Sequence, residues 1–548
     1  MHRGCRRRSR LTVTQHRYAH LVREKRSYAA AASYRNSAFL VVPQRPELGI
    51  SRSLGKALSP YSKENRSFEY FQTRTLPMWT EFFDSELWSR LVLQLSHDQP
   101  AIKHGILALS VMHERYESVA PVSMAVGNDF AFVQYMQAVK HSNDLLTAYQ
   151  SGKASLEMVL IACIIFTCYE NLAGNYEIAS MHLRSGLRIL DQQHRAGSLL
   201  DIGRGEIANS LYRFDLEAMT FSDTASPYDY VLDLAPVCPK VPDKYTKNDA
   251  ARDDLVNILR SMMWLAGVAD INPCAPEHSK WQQIQKSTSL AIKKWQSAFD
   301  DFKSHMPSRE TADPKVYAGN TLLTMAALTI HIIIHSGAGT HSEMAWDPFL
   351  PSFTSMVDLA ETIPILHAPT TNPKYRTIAP KTASKTAPPP THFSPSFELS
   401  PIVSLFITAC RCRDPSLRRR AIALLLSYHR REGIWDSTGA GKIAAQCMLL
   451  EESLPLSSPF TARNPRVNSS ADVPERRRVR DMLLEVKERG GRVELVYTLI
   501  TGEREEGVKV VYESWRGAGG LGFGGGMGMR AKTHVGVKSL DRLVRRWM

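Results

Sequence analysis

The sequence is poor in the features that announce a catalyst, a covalent scaffold or a membrane protein. It has only eight cysteines, Cys5, Cys163, Cys168, Cys238, Cys274, Cys410, Cys412 and Cys447. They are scattered, several within apolar surroundings, which is the pattern of reduced thiols and excludes a disulfide framework. Cys410 and Cys412 form C-x-C with no second pair nearby, so a closed tetrahedral zinc site is not expected. No segment is expected to reach membrane-spanning length; the most apolar runs, Val159–Phe166 and Leu322–Ile334, are too short or carry a His. The N-terminus has no apolar signal core. It is Arg-rich and nearly acid-free, which leaves a mitochondrial presequence as a minor alternative.

Catalytic motifs are equally sparse. There is no G-x-S-x-G, and His113-Glu114 is not followed by a second histidine at zinc-protease spacing. Gly517, Gly519 and Gly522 fit G-x-G-x-x-G, but no helix start follows to receive a pyrophosphate. The GAGK piece at 439–442 lacks the leading glycine of a phosphate loop, where Asp436 stands, and its metal-binding hydroxyl, where Ile443 stands. His97, His104 and His113 do not share a helical face. His331 and His335 sit four apart in an apolar helix and read as packed core histidines. None of this points to an enzyme, a metal or a cofactor.

What the chain has is apolar content and basic ends. With 548 residues, 43% of them hydrophobic, it can bury a large core. Residues 1–35 carry ten Lys/Arg against Glu24, and residues 530–548 carry six against Asp541. The two tails thus account for the whole formal net charge of +14. Such tails attract polyanions, including DNA or the acidic groove of an import receptor.

Between the tails the period is helical. Ile102, Ile106, Leu109 and Met112 share a face behind Pro100, with Asp98 as cap. Phe132, Tyr135, Val139 and Leu146 repeat the rhythm. Leu156–Tyr169 is apolar all round and should be central; Ile178, Met181, Leu187 and Leu190 form the next face. The dense aromatics Phe68, Tyr70, Phe71, Trp79, Phe82, Phe83 and Trp88 are expected to clamp the N-terminal helices onto the core. Helices are expected over Leu255–Asp270, Trp281–Phe302, Thr321–Ser336, Phe349–Ile363, Pro401–Cys410, Pro415–His429 and Ile443–Glu452. Val479–Val486, Arg492–Leu499 and Val508–Trp515 read as strands, with Thr501–Gly507 as a turn. The fold class is all-α: packed helical hairpins in one large domain, with a small antiparallel β appendage near the C-terminus. The domain reading is a basic, largely disordered segment at 1–65, a helical domain at 66–366 and a Pro/Thr/Ser-rich linker or loop at 367–400. A helical continuation at 401–455, a loop and small β region at 456–516 and a Gly-rich basic tail at 517–548 follow.

Four stretches carry a family likeness: RSFEYFQTRTLPMWTEFFDSELWSRLVLQLSHDQPAIKHGILALSVMHERY at 66–116, the run at 159–190, YRFDLEAMTFSD at 212–223, and CRDPSLRRRAIALLLSYHRREGIWD at 412–436. In order and spacing they resemble the fungal-specific regulatory domain of zinc-cluster transcription factors, over most of 66–455. The resemblance implies a regulator of RNA polymerase II transcription acting in the nucleus. Its partners would be the transcription machinery or co-regulator proteins, or a second copy of the chain. In that family six cysteines hold two zinc ions ahead of a basic helix. Here Cys5-Arg6-Arg7-Arg8-Ser9-Arg10 is similar to one ligand and the basic stretch after it. One cysteine cannot build the cluster, so no zinc is expected in this chain; Cys5 is at most a remnant. Whether the cluster is lost or lies upstream of this start stays open. Arg6, Arg7, Arg8 and Arg10 are the candidate DNA contacts, through phosphates alone. Two other readings stay open: a helical interaction scaffold in the cytoplasm, and a small-molecule-sensing helical domain.

Overall fold

The helical period of the first half resolves into packed helices in the computed structural model, which describes residues 62–117, 129–363 and 394–511 apart from short interruptions, and 532–534. Ser62 opens α1 (Lys63–Tyr70), its hydroxyl accepting from the Asn65 amide at 3.1 Å. After a π-type turn at Phe71–Thr75 come α2 (Leu76–Trp79), α3 (Val92–Asp98) and α4 (Pro100–Glu117). Pro100 starts α4 at a position that needs no amide partner. Asp98, expected to cap α4, is instead the last residue of α3. Ile102, Ile106, Leu109 and Met112 are buried together, as their spacing requires.

Asp129 caps α5 (Phe130–Gln150) by accepting from the Ala131 amide at 3.1 Å. Then follow α6 (Leu156–Ala173), α7 (Tyr176–Arg195) and α8 (Glu206–Phe221). α6 is central, with almost every side chain buried. Two faces are turned relative to the sequence expectation. α5 buries Ala131, Tyr135, Ala138 and Leu145 and exposes Phe132 and Leu146; α7 buries Ala179, Leu183 and Leu190 and exposes Ile178 and Met181. The small alanines allow close helix approach, so the contact line runs along them rather than along the bulkiest residues.

The second half holds α9 (Asn248–Ile271), α10 (Ser279–Ser304), α11 (Pro314–His335), α12 (Leu350–Thr362), α13 (Pro401–Arg411), α14 (Pro415–Tyr428) and α15 (Ser437–Glu451). Neighbours in sequence pack on each other: α4 on α5, α6 on α7, α9 on α10, α14 on α15. Against the sequence expectation that no segment reaches spanning length, α6 and α11 are 18 and 22 residues long and apolar enough to cross a bilayer. In α6, 78% of that stretch is buried inside the protein, and in α11 56%, so neighbouring helices cover much of the apolar surface.

The buried side chains form two hydrophobic cores, one built mainly from α1–α8 and one from α9–α15. α8 serves both: Ile207, Leu211 and Phe214 face the first, Leu216 and Met219 the second. Between them lies a short sheet, β1 (Ser394–Ser396) parallel to β2 (Arg430–Glu432), which pairs antiparallel with β3 (Trp435–Asp436). β1 and the residues after it fall inside the span read as linker, yet Ser396, Phe397 and Glu398 are buried. Beyond Arg478 the backbone runs through β4 (Val479–Arg489), β5 (Arg492–Thr501), β6 (Arg504–Val511) and β7 (Lys532–His534), in the antiparallel order β6-β5-β4-β7.

Candidate functional site

The residues singled out in sequence disperse. Cys5, Arg6, Arg7, Arg8 and Arg10 lie outside the described residues, as do Gly517, Gly519 and Gly522. His97 packs edge-on to Phe68, His104 bonds Gln134 at 2.6 Å, and His113 bonds Thr75 at 2.8 Å, so the three histidines have three separate partners. His331 and His335 lie ring against ring at 4.3 Å, and His335 Nδ1 bonds the His331 carbonyl. Burial and the neighbouring ring hold His331 below the usual imidazole range. The GAGK piece is helical within α15. A Cβ on Gly441 would stand 3.0 Å from Leu426, so this glycine lets α15 lie against α14. Among the described residues no group of three or more His, Cys, Asp or Glu is arranged to hold a metal ion.

The aromatic run, expected to serve one core, divides. Phe71, Trp79 and Trp88 belong to the first core, but Phe82 and Phe83 reach into the second. Phe397 makes the opposite journey and packs edge-on to Trp79 and Phe214 in the first core, with ring centroids 4.9 and 5.2 Å away. Each core is therefore completed by a segment from the other side, and the crossing point is lined with buried charge.

At that seam Arg252 lies over the Phe83 ring at 4.9 Å and Arg430 over Phe82 at 4.7 Å, a geometry in which the ring quadrupole attracts the cation. Arg252 Nη1 donates to both oxygens of Glu398 at 3.1 Å and its Nε to Asp253 at 2.9 Å. Arg213 donates to Glu206 at 2.9 Å and Asp253 at 3.1 Å, and stands 3.4 Å from Glu398. Arg430 bridges Glu81 at 2.7 Å and Glu432 at 2.5 Å. Burial works against the charge on Arg252, but Glu398, Asp253 and Glu206 outweigh it and keep it above its ordinary value.

A second buried cluster fixes the C-terminal half. Arg413 donates to Glu343 at 2.9 Å and Glu451 at 3.1 Å, and Arg418 pairs with Glu451 at 2.7 Å. Glu451 also accepts the Val479 amide at 2.7 Å, while Arg478 grips Asp347 at 2.7 and 2.8 Å. Within the LRRR run at 417–420, Arg418 and Arg419 are core residues, paired with Glu451 and Glu452. The only sequence signal was their place on the apolar stretch that follows.

Residues 66–231 match the fungal specific transcription factor domain. That region holds the whole first core except Phe397, together with Glu81–Phe83 and α8. The chain is similar to the aspercryptin biosynthesis cluster-specific transcription regulator atnN of Emericella nidulans, at 23% identity over 461 residues, 71% of this chain and 73% of that protein. It is also similar to transcription regulator lscL of Purpureocillium lilacinum, at 30% identity over 143 residues, 24% of this chain and 32% of that protein. No solved structure matches. These likenesses support a fungal zinc-cluster-type transcription factor relationship for the stretches they cover. The matched domain and the relatives' names support a transcription regulator role.

Proposed function

We propose that the chain acts in the nucleus on RNA polymerase II transcription, through contacts of its helical region with the transcription machinery or co-regulator proteins, and not by catalysis. The observation that carries this reading is the reciprocal insertion at the seam. Phe397 fills the core of the 66–231 domain and Glu81–Phe83 fill that of the C-terminal half, so the two act as one regulatory body. DNA contact, in this reading, is limited to phosphate neutralisation by Arg6, Arg7, Arg8 and Arg10, which carries no sequence information. The strands β4–β7 are read as a small appendage, tied to the helical body where Glu451 and Arg411 hold the amide and carbonyl of Val479.

The test uses the full chain in fungal cells, fluorescently tagged for imaging and, separately, fused to an unrelated sequence-specific DNA-binding module on a reporter promoter. Nuclear accumulation and changed reporter output are expected, with Phe397→Ala altering output at equal protein level. Exclusion from the nucleus with an unchanged reporter would replace this reading with a scaffold outside transcription.

A further inference from the structure

Between α15 and β4 the chain runs through 452–478 with only two short 3-10 turns, Ser470–Asp472 and Glu475–Arg477. The stretch is nonetheless fixed. Arg419 Nε donates to the Ala462 carbonyl at 3.1 Å, and Asn464 Nδ2 to that of Glu452 at 2.8 Å. The amides of Val467, Val473 and Arg477 close tight turns on the carbonyls of Asn464, Ser470 and Pro474 at 3.0, 3.2 and 2.9 Å. The buried Arg478 reaches back to the carbonyls of Val473 at 2.9 Å and Ser470 at 2.8 Å, and Val467 and Val473 are themselves buried. Fully extended, 463–477 would span about 50 Å; wound into these turns, its side chains are held well inside that length.

Four arginines stand between these anchors. Arg463, Arg466 and Arg476 are exposed and Arg477 is half-buried. None of the four guanidiniums has an ion pair or a hydrogen bond among the described residues. The two acids of the stretch are turned to backbone. Asp472 accepts the amides of Asn468 at 3.0 Å and Ser469 at 2.9 Å. Glu475 accepts those of Glu343 at 2.9 Å and Met344 at 3.1 Å, and the Ser342 hydroxyl at 2.9 Å. The chain between its two basic tails carries no net charge, so these four cations are a local concentration. Among the described residues the large exposed hydrophobics run from Phe132 to Leu350, and none lies on this stretch.

Unpaired guanidiniums without an apolar neighbour select the partner. Protein interfaces form round a desolvated apolar centre, whereas nucleic-acid interfaces are polar and strongly cationic. A guanidinium also matches a phosphate group with two parallel N–H donors. We propose that Arg463, Arg466, Arg476 and Arg477 form a surface for the phosphate backbone of duplex DNA, carried on the folded body. This surface is additional to Arg6, Arg7, Arg8 and Arg10, and it does not depend on the co-regulator contacts of the helical region. Phosphate contact positions a protein on DNA and does not read its sequence. The surface therefore sets how the body lies on DNA, not which site it finds.

Fluorescence anisotropy of the full chain on labelled duplexes of two unrelated sequences tests this, between about 50 and 200 mM salt. Arg463→Gln, Arg466→Gln, Arg476→Gln and Arg477→Gln together are expected to lower the slope of log affinity against log salt. The fall should be about 0.9 for each phosphate no longer neutralised, equal on both sequences. The same four positions changed to lysine should keep most of the slope, because the charge stays. Removing as many charges from exposed lysines elsewhere, by Lys140→Gln, Lys153→Gln, Lys286→Gln and Lys293→Gln, should leave it unchanged. Circular dichroism and a thermal melt establish that each variant is folded, and Arg463→Gln with Arg466→Gln alone serves if the fourfold variant is not. An unchanged slope in the folded arginine variant, an equal fall in the lysine variant, or no binding by the unaltered chain at the lowest salt would overturn the proposal. Reporter output that changes in the arginine variant while the slope does not would assign the surface to an acidic protein partner, and would overturn it too.

Discussion

Arg430 and Glu81 lie 349 positions apart in the chain, and their side chains meet at 2.7 Å, both buried. The same guanidinium holds Glu432 and covers the Phe82 ring. One residue of the second half thus fixes the entry of the first half into its core. Arg430→Ala leaves two buried carboxyls without their cation, and a loss of about 3–5 kcal/mol is expected on urea unfolding. Arg430→Lys should recover only part of it, since an ammonium cannot reproduce the planar fork that spans both acids and stacks on Phe82.

Phe397 is the reciprocal contact. Truncating a fully packed phenylalanine costs about 3–5 kcal/mol. Phe397→Ala should also move Trp79 emission to longer wavelength, because the Phe397 ring packs edge-on to that indole with centroids 4.9 Å apart. An unchanged emission maximum would mean that Phe397 is not seated there.

Gly319 on α11 tests the backbone side of the seam. A Cβ there would stand 2.6 Å from the Phe82 carbonyl oxygen and 2.7 Å from Asn248 Nδ2. A backbone atom cannot rotate away, so Gly319→Ala is expected to destabilise by about 1–3 kcal/mol in a thermal melt. Gly441→Ala, whose nearest obstacle at 3.0 Å is the Leu426 side chain, should cost less.

The described thiols differ in access. Burial pushes the thiols of Cys163 and Cys412 up to about 11, and the hydrogen bond with Cys410, with burial, holds Cys447 well above the usual thiol range. Cys274 is exposed. Site-resolved alkylation of the native chain at pH 8 should mark Cys274 first, and Cys410, Cys412 and Cys447 only in denaturant. Early labelling of Cys447 would show that α13 and α15 part readily.

The basic N-terminal arm makes a prediction about salt. If Arg6, Arg7, Arg8 and Arg10 neutralise phosphates, replacing all four with alanine should flatten the plot of log affinity for duplex DNA against log salt. The slope should fall by about 0.9 for each phosphate left without its arginine, equally on unrelated sequences. An unchanged slope would place DNA binding elsewhere on the chain or nowhere.

The central helices are legible from the chain alone because a helix reports its own burial locally. Leu156–Tyr169 is apolar on all sides, and Ile102, Ile106, Leu109 and Met112 recur at the helical period. The buried faces of α5 and α7 escape such a reading because small residues, not the largest ones, set the line of closest approach. The family likeness can be read for a related reason: order and spacing along a chain survive without knowledge of contacts.

The chain alone determined that this protein is mainly helical, that its net charge sits in its tails, and that its pattern is that of a fungal transcription regulator. Only the tertiary structure decided that Arg252, Arg418 and Arg430 are core residues, that Phe82 and Phe397 cross in opposite directions, and that Arg213, Arg252 and Arg430 meet Glu81, Glu206, Asp253, Glu398 and Glu432. A charged residue in sequence carries no mark of its partner. Whether it is solvated or buried depends on which distant segment arrives to neutralise it, and that is settled by packing across hundreds of residues rather than by any local period.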